Sequence, residues 1–304
     1  MAVPTPNEIR HERNPRLLTS HLFKFRAVRK RLSQSAHPAL SEADRADTLA
    51  FWDARIEAAE KRLQAFLPQA RKAVTPVPNA ALQSALFRVA DKRRPRNERV
   101  LADFPIQGGG CLRYDGPELR QDDLSVLLGL FELARYEELS AAVSFTPASL
   151  MRRIGWSAGG DSYDRLDRCI SRMQKALIEY VAPSGEGFRV QLLGKLAFAN
   201  RTPQGAWVVA VDPSVRALFD AGYSKMALHL RATLPEGLTT WLAGFYASYP
   251  FVKPMPLREL HEHCGSSAQP REFRRMLTAA MDRMQQHGLV SRYTIKRGTL
   301  FVWK

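Results

Sequence analysis

Apolar residues recur along this chain at two spacings, and the places where one spacing gives way to the other mark out its elements. After Ser41, Glu42 and Asp44, which suit a helix N-terminus, Leu49, Trp52, Ile56, Ala59, Leu63 and Phe66 recur at alternating steps of three and four until Pro68. That is one apolar face of a helix, and it faces either the body of the protein or a second copy. Pro76 and Pro78 make residues 74–78 a linker. An apolar segment at 80–89, a strand at 112–114 and a turn at Asp115-Gly116-Pro117 lead into a Leu-rich helix over 121–139.

Thr146-Pro147 opens the next helix, since Thr caps well and Pro is tolerated at the first helical position; Gly155 stops it. Gly159-Gly160-Asp161 opens another, expected to run to Tyr180. Strand-like runs at 188–198 and 207–211 follow, joined by residues 200–205. Helix, turn, helix and hairpin is the order of a winged helix. Short helices are expected at 212–222 and 235–249, and then the order returns. A helix at 256–264 stops at Gly265, Gln269-Pro270 opens a longer one closed by Gly288, and 289–295 pairs with 299–303 across Lys296-Arg297-Gly298. The expected fold is mainly α with small β wings (α+β): tandem winged helix-turn-helix domains at 78–230 and 231–304, behind a basic, helical and partly flexible extension at 1–77.

Charge sharpens this picture. The 304 residues carry a formal +15, a field that favours polyanions. Lys and Arg outnumber Asp and Glu 20 to 10 over residues 1–100 and 10 to 4 over 250–304, against 15 to 16 between, so the excess sits at the ends. No run approaches the roughly 20 apolar residues of a membrane span, and the first 30 residues carry charges where a signal peptide would be apolar. A bacterial cytoplasmic location without membrane partners is expected. Cys111, Cys169 and Cys264 are odd in number and far apart, which suits reduced core thiols better than a disulfide framework.

A recognition helix needs one face in the core and the opposite face free to enter the major groove. On a wheel of about 100° per residue, Leu166, Ile170, Met173 and Leu177 fall on one side. Arg165, Arg168, Arg172 and Lys175 fall nearly opposite. In the second helix Phe273, Leu277, Ala280, Met281 and Met284 oppose Arg271, Arg274, Arg275 and Thr278. The hairpins add Lys195, Arg201, Arg292, Lys296 and Arg297. A charged outer face can simply solvate a surface helix; the abundance of Arg, whose planar fork grips guanine or phosphate, favours DNA. Asp161, Asp164 and Asp167 dilute the first face.

The segments 78–87, 112–119 and 121–124, the basic cluster Lys92, Arg93, Arg94, Arg96 and Arg99, and the run from Phe145 to the end resemble the TrfA family of plasmid replication initiators over about residues 78–304. The resemblance implies an initiator that binds direct repeats (iterons) in double-stranded origin DNA. It also implies opening of a neighbouring A+T-rich region, binding of its single strand, and recruitment of host proteins including sliding clamp, helicase and host initiator. A homodimer is implied as well. Gln83, Leu86 and Phe87 match the Gln-x-x-Leu-Phe peptide that docks into the sliding clamp; the same residues equally suit a helix packed in the first domain.

Enzymatic readings find little support. A rolling-circle nuclease needs a His-hydrophobic-His metal motif, and His261-Glu262-His263-Cys264 places Glu at the apolar position. Gly108-Gly109-Gly110 lacks the Gly-Lys-Ser/Thr ending of a phosphate loop, and Gly194-Lys195 is followed by Leu196. Neither catalytic residues, nor a cofactor, nor a metal is expected. A repressor of its own promoter would use the same helices, and would bind an inverted rather than a direct repeat.

Overall fold

The apolar stripe after Ser41 does become a helix, within the smaller of two units that the chain forms, Met1–Gln69 and Ala70–Lys304. The computed structural model describes residues 3–12, 21, 24–26, 28–29, 31–33, 42–65, 75–91, 93–105, 110–134, 142–182, 184–211, 215, 217–220, 222–249 and 252–304.

In the first unit, α1 (Pro6–His11) opens with a reciprocal cap: Glu8 N–H donates to the Thr5 hydroxyl at 3.2 Å, and Thr5 N–H donates to the Glu8 carboxylate at 2.7 Å. On α2 (Glu42–Ala65), Ala58 and Ala59 join Ile9 and Phe25 in a small core, with Trp52 and Ile56 packed against it. Arg55 lies 3.4 Å over the Phe51 ring and donates to the Pro4 carbonyl, and Arg62 donates to that of Glu12. The Trp52, Ile56 and Ala59 part of the stripe is thus packed inside its own unit; Phe66 lies outside the described residues.

The second unit opens with β1 (Thr75–Pro78), which pairs antiparallel with β11 (Tyr223–Met226). The expected linker is therefore an edge strand, a position where proline is tolerated because no ladder N–H is needed on the open side. α3 (Asn79–Gln83) and β2 (Phe87–Arg88) follow, the latter paired with β5 (Leu119–Arg120). β3 (Val100–Pro105), β4 (Cys111–Gly116), β7 (Leu177–Val181) and β8 (Gly187–Gln191) form a four-stranded antiparallel sheet in that order. α4 (Gln121–Ala134) is buried on almost every side, as its near-continuous apolar sequence requires. At Gly129 a Cβ would meet Leu150 Cδ1 at 2.6 Å, so glycine sets how closely α4 approaches α5 (Pro147–Arg153).

α6 (Gly160–Gln174) ends three residues before Leu177, which begins β7. The expected helix to Tyr180 is too long: Ile178, Tyr180 and Val181 are β-branched or aromatic, and Ile178 enters the core from the sheet. The expected strand 188–198 is also two strands, β8 and β9 (Leu196–Phe198), with Gly194 between them.

β6 (Ala142–Phe145), β9 and β10 (Trp207–Ala210) form one three-stranded sheet in the order β6-β10-β9. After α7 (Ala217–Asp220), α8 (Leu228–Thr233) and α9 (Leu238–Ala247), a second sheet forms from β12 (Met255–Pro256), β13 (Arg292–Lys296) and β14 (Thr299–Trp303), in the order β12-β14-β13. Its helices are α10 (Leu257–His263) and α11 (Pro270–Gln286). In both sets, the strand before the helix pair lies against the last strand, which separates it from the middle one. The first set differs by carrying the β7-β8 hairpin between α6 and β9.

Two apolar clusters fill this unit. The larger gathers α4, Leu150 of α5, Leu166, Ile170 and Met173 of α6, and Trp207 of β10. The smaller gathers Trp241 and Phe245 of α9, Leu260, Phe273, Leu277, Met281 and Met284, Leu300 and, from far upstream, Val89. Val89 N–H donates to the Cys264 carbonyl at 2.8 Å. Arg231, fully buried on α8, ties the clusters together by donating to the Thr240 carbonyl at 3.0 Å and to Gln121 Oε1 at 2.9 Å. The architecture is a mixed α+β fold.

Candidate nucleic-acid interface

α11 begins at Gln269-Pro270, where the fixed proline φ suits a first helical position. Its Phe273, Leu277, Ala280, Met281 and Met284 are buried, and this commits the opposite face to solvent. Arg271, Arg274, Arg275 and Thr278 are all exposed. Arg275 bonds the Glu272 carboxylate through Nε at 2.9 Å and Nη2 at 2.6 Å, and both side chains remain open to solvent. Among the described residues neither Arg271 nor Arg274 has an acidic partner.

The β13-β14 hairpin stands beside this face. The Tyr293 hydroxyl donates to Asp282 Oδ1 at 2.5 Å and lies 3.4 Å from the Thr278 carbonyl. Burial and the Asp282 bond push the Tyr293 hydroxyl pKa up to about 12. Arg297 (φ 48°) and Gly298 (φ 75°) form a two-residue turn with both residues left-handed, which matches the twist of its strands and holds Lys296 and Arg297 outward. Arg292 lies 4.2 Å over the exposed Trp303 ring.

The first helix pair is different. Arg168 on α6 and Lys175 at its C-cap are exposed, as are Lys195 and Arg201 beyond it. Arg201 bonds Asp167 at 3.2 Å and lies 4.6 Å over Phe198, so the β9-β10 connection reaches back to α6. Arg165 and Arg172, expected on the outer face, instead turn toward acids at the start of α4. Arg172 reaches Asp123 through Nε at 2.9 Å and Nη2 at 2.8 Å; Arg165 reaches Glu236 at 2.5 Å and Asp122 at 3.3 Å. The physical reason is that Asp122 and Asp123, buried in the first turn of an apolar helix, need cations. On the α6 wheel Leu166, Ile170 and Met173 are buried as expected, but the wheel could not see what the opposite flank meets.

Sequence reasoning missed this cluster. Arg96 completes it, donating to Asp122 and Asp123 at 2.7 Å each, and Arg120 N–H donates to Asp123 at 2.8 Å. Burial would raise the Asp122 pKa, but the charges of Arg96, Arg165 and Arg172 outweigh it and hold the carboxyl down to about 2. Burial and the neighbouring Asp122 push the Asp123 pKa upward, opposed by the charges of Arg96 and Arg172 and by the Arg120 N–H, and three N–H donors converge on its oxygens. Cys169 lies close to both acids, its thiol pKa pushed well up by burial. The carboxylates of this cluster accept from guanidinium groups, which makes it an internal ion-pair network. The signal in the sequence was a pair of acids opening a mostly apolar helix, with several arginines upstream.

Gln83, Leu86 and Phe87 are buried, Phe87 completely, and Gln83 donates to the Ser248 carbonyl at 3.4 Å. The clamp-peptide expectation is corrected on this ground: the Leu-Phe pair fills the core of its own domain and is not presented to a partner. His261 packs against Phe273 and bonds the Ala268 carbonyl, whereas His263 faces Phe245, so the two rings address different neighbours. Gly108 and Gly109 lie outside the described residues. Among those residues no helix is long and apolar enough to cross a membrane.

The family model described as TrfA protein matches residues 29–300. The Plasmid replication initiator protein TrfA of Escherichia coli is 24% identical over 221 residues, 70% of this chain and 57% of that protein, so the chain spans little more than half the length of this relative. Among solved structures, selenomethionine derivatives of domains 2 and 3 of RctB match with a TM-score of 0.55 at 14% identity, over 74% of this chain and 96% of that one. A second structure of RctB domains 2-3 matches with a TM-score of 0.52 at 14% identity, over 73% and 94%. At such identity the likeness is one of fold. The family match begins well before residue 78, taking in α2 as well as the helix pairs, and by this match the chain belongs to the TrfA family.

Proposed function

We propose that this chain is a cytoplasmic plasmid replication initiator that binds direct repeats at its origin through two winged helix-turn-helix domains, one built on α5-α6 and one on α10-α11. The observation that carries the reading is the surface of α11: Arg271, Arg274, Arg275 and Thr278 exposed along one face, with Arg292, Lys296 and Arg297 on the hairpin beside it. An Arg-rich helix face flanked by a basic hairpin fits a major groove and its adjoining backbone. Support for initiation comes from membership of the TrfA family and from the name of the Escherichia coli relative. In this reading the first domain contributes through Arg168 on α6, Lys175 at its C-cap, and Lys195 and Arg201 beside β9, while Arg165 and Arg172 hold the domain together. Opening of A+T-rich DNA, binding of its single strand and recruitment of host helicase and host initiator belong to the same proposal, as does a homodimeric form.

The test is binding of Arg274→Ala to a direct-repeat duplex and to a scrambled one at one salt concentration. Loss of a base contact costs about 1–3 kcal/mol, roughly tenfold or more, on the cognate duplex and much less on the scrambled one. Equal losses on both would place Arg274 on phosphate. Protection of an inverted repeat over a promoter, with no direct repeats bound, would replace initiation by repression.

A further inference from the structure

At the start of α4 the protein surface opens into a cleft of about 490 Å³ whose walls carry Arg88, Arg94, Arg96, Arg120, Arg165, Arg168 and Arg172. Asp122 and Glu236 also line it, and Glu118 and Asp123 lie behind, bonded to Arg120, Arg96 and Arg172. Seven guanidinium groups therefore meet four carboxylates. The excess is located. Arg94 and Arg168 are exposed and have no side-chain partner among the described residues, and Arg88 holds the Gly265 carbonyl while approaching Glu118 only to 4.0 Å.

The remaining arginines are fixed from behind. Arg120 is held by Glu118 and by the carbonyls of Asp91, Arg94 and Pro95, and Arg96, Arg165 and Arg172 are each held by acids. These anchored groups already give N–H bonds to acids and carbonyls and hold the shape of the wall, so direct bonds to an arriving anion fall to the open forks of Arg94 and Arg168, each of which can bond two oxygens. Like charges gathered around a water-filled opening favour a ligand of several negative charges that offers only acceptors. Metal cations are repelled by the same field, and an apolar ligand would strand the donors unpaired.

We propose that this cleft is a binding site for a phosphate-bearing anion, with Arg94 and Arg168 as its principal donors and Arg88 as a third. The ligand is either a free phosphoanion or a backbone phosphate of nucleic acid passing the mouth of the cleft. The inference rests on the reading above at Arg168, which that reading places on DNA, and goes beyond it at Arg94 and Arg88; α11 and its hairpin contribute none of the lining residues.

The test uses the full chain in low salt. Inorganic pyrophosphate is titrated by calorimetry into the parent, into Arg94→Ala/Arg168→Ala and into Arg271→Ala/Arg274→Ala, and single-stranded and duplex oligonucleotides are titrated by fluorescence anisotropy. Both cleft residues are exposed, so the fold should survive; Arg94→Gln/Arg168→Gln, checked by circular dichroism and melting, serves if the alanine pair does not fold. The expected result is one pyrophosphate per chain, bound about tenfold or more weakly by the cleft variant and unchanged in the α11 variant. No pyrophosphate binding, but an oligonucleotide affinity weakened whatever the sequence both in the cleft variant and in Arg94→Ala alone, would assign the site to backbone phosphate; a loss confined to variants lacking Arg168 would belong to the reading above and overturn the cleft. Equal affinities of parent and cleft variant for both pyrophosphate and oligonucleotides would overturn the proposal. A failed repeat-binding test with an intact pyrophosphate result would fall on α11 alone.

Discussion

Arg172→Ala and Arg274→Ala remove the same side chain from two helices of the same pattern, and the structure expects them to fail in different ways. The Arg172 side chain is 17% exposed and bonds Asp123, which is fully buried, at 2.8 and 2.9 Å. Its loss leaves Asp123 with Arg96 and the Arg120 N–H alone. Breaking a buried pair from one side costs about 3–5 kcal/mol, and because Arg96 remains the low end applies, about 3 kcal/mol. For a unit of this size that lowers the melting midpoint by about 10 °C. Arg274 is exposed and supports no buried group, so its loss should stay within about 0.5 kcal/mol in stability while weakening cognate duplex binding roughly tenfold. Urea and thermal unfolding measure the first property, and fluorescence anisotropy at a temperature where both variants are folded measures the second. An Arg172→Ala protein that melts with the parent and binds DNA as weakly as Arg274→Ala would show that the α4 acids do not hold this arginine, and the division between a structural Arg172 and a DNA-contacting Arg274 would fail.

Two further outcomes follow from burial and charge. Phe87→Ala should lower stability by about 3–5 kcal/mol, because the ring is fully buried and its removal leaves a cavity; a melting midpoint within a degree of the parent would mean that the Leu86-Phe87 pair is not in the core. Asp122, held down to about 2 from an ordinary 3.8, contributes about 2 kcal/mol that is present above pH 3.8 and fades as pH falls toward 2. Asp122→Asn should flatten that part of the acid-unfolding curve, and an unchanged slope between pH 4 and 2 would contradict the assignment.

The second helix pair could be read from sequence almost residue by residue, and the first could not, for a physical reason. α11 meets the rest of the protein mainly through its apolar stripe, so its periodicity decides its orientation, and its arginines and Thr278 are exposed. α6 carries an equally clear stripe, but its flank at Arg165 and Arg172 packs against acids on α4, more than 40 residues upstream. A helical wheel records angle and not neighbours, so a charged residue on the solvated side and one paired inside the protein look alike. The same blindness governs Gln83 to Phe87: five residues can satisfy a peptide motif and a core segment together, and only long-range burial, against α4 and the Ser248 carbonyl, distinguishes them. The β7-β8 hairpin shows the complementary effect. Leu177 continues the helical period of α6, yet β7 lies between β4 and β8, which together offer the backbone N–H and C=O groups of residues 177–181 ladder sites beside the core, and that tertiary gain overrides a one-turn extension of the helix. Legibility therefore follows the range of the interactions that fix each side chain. Where DNA is proposed to bind, the outward face is fixed locally and can be read; where the arginine cleft forms, charges from four separate segments must converge, and only the folded chain brings them together.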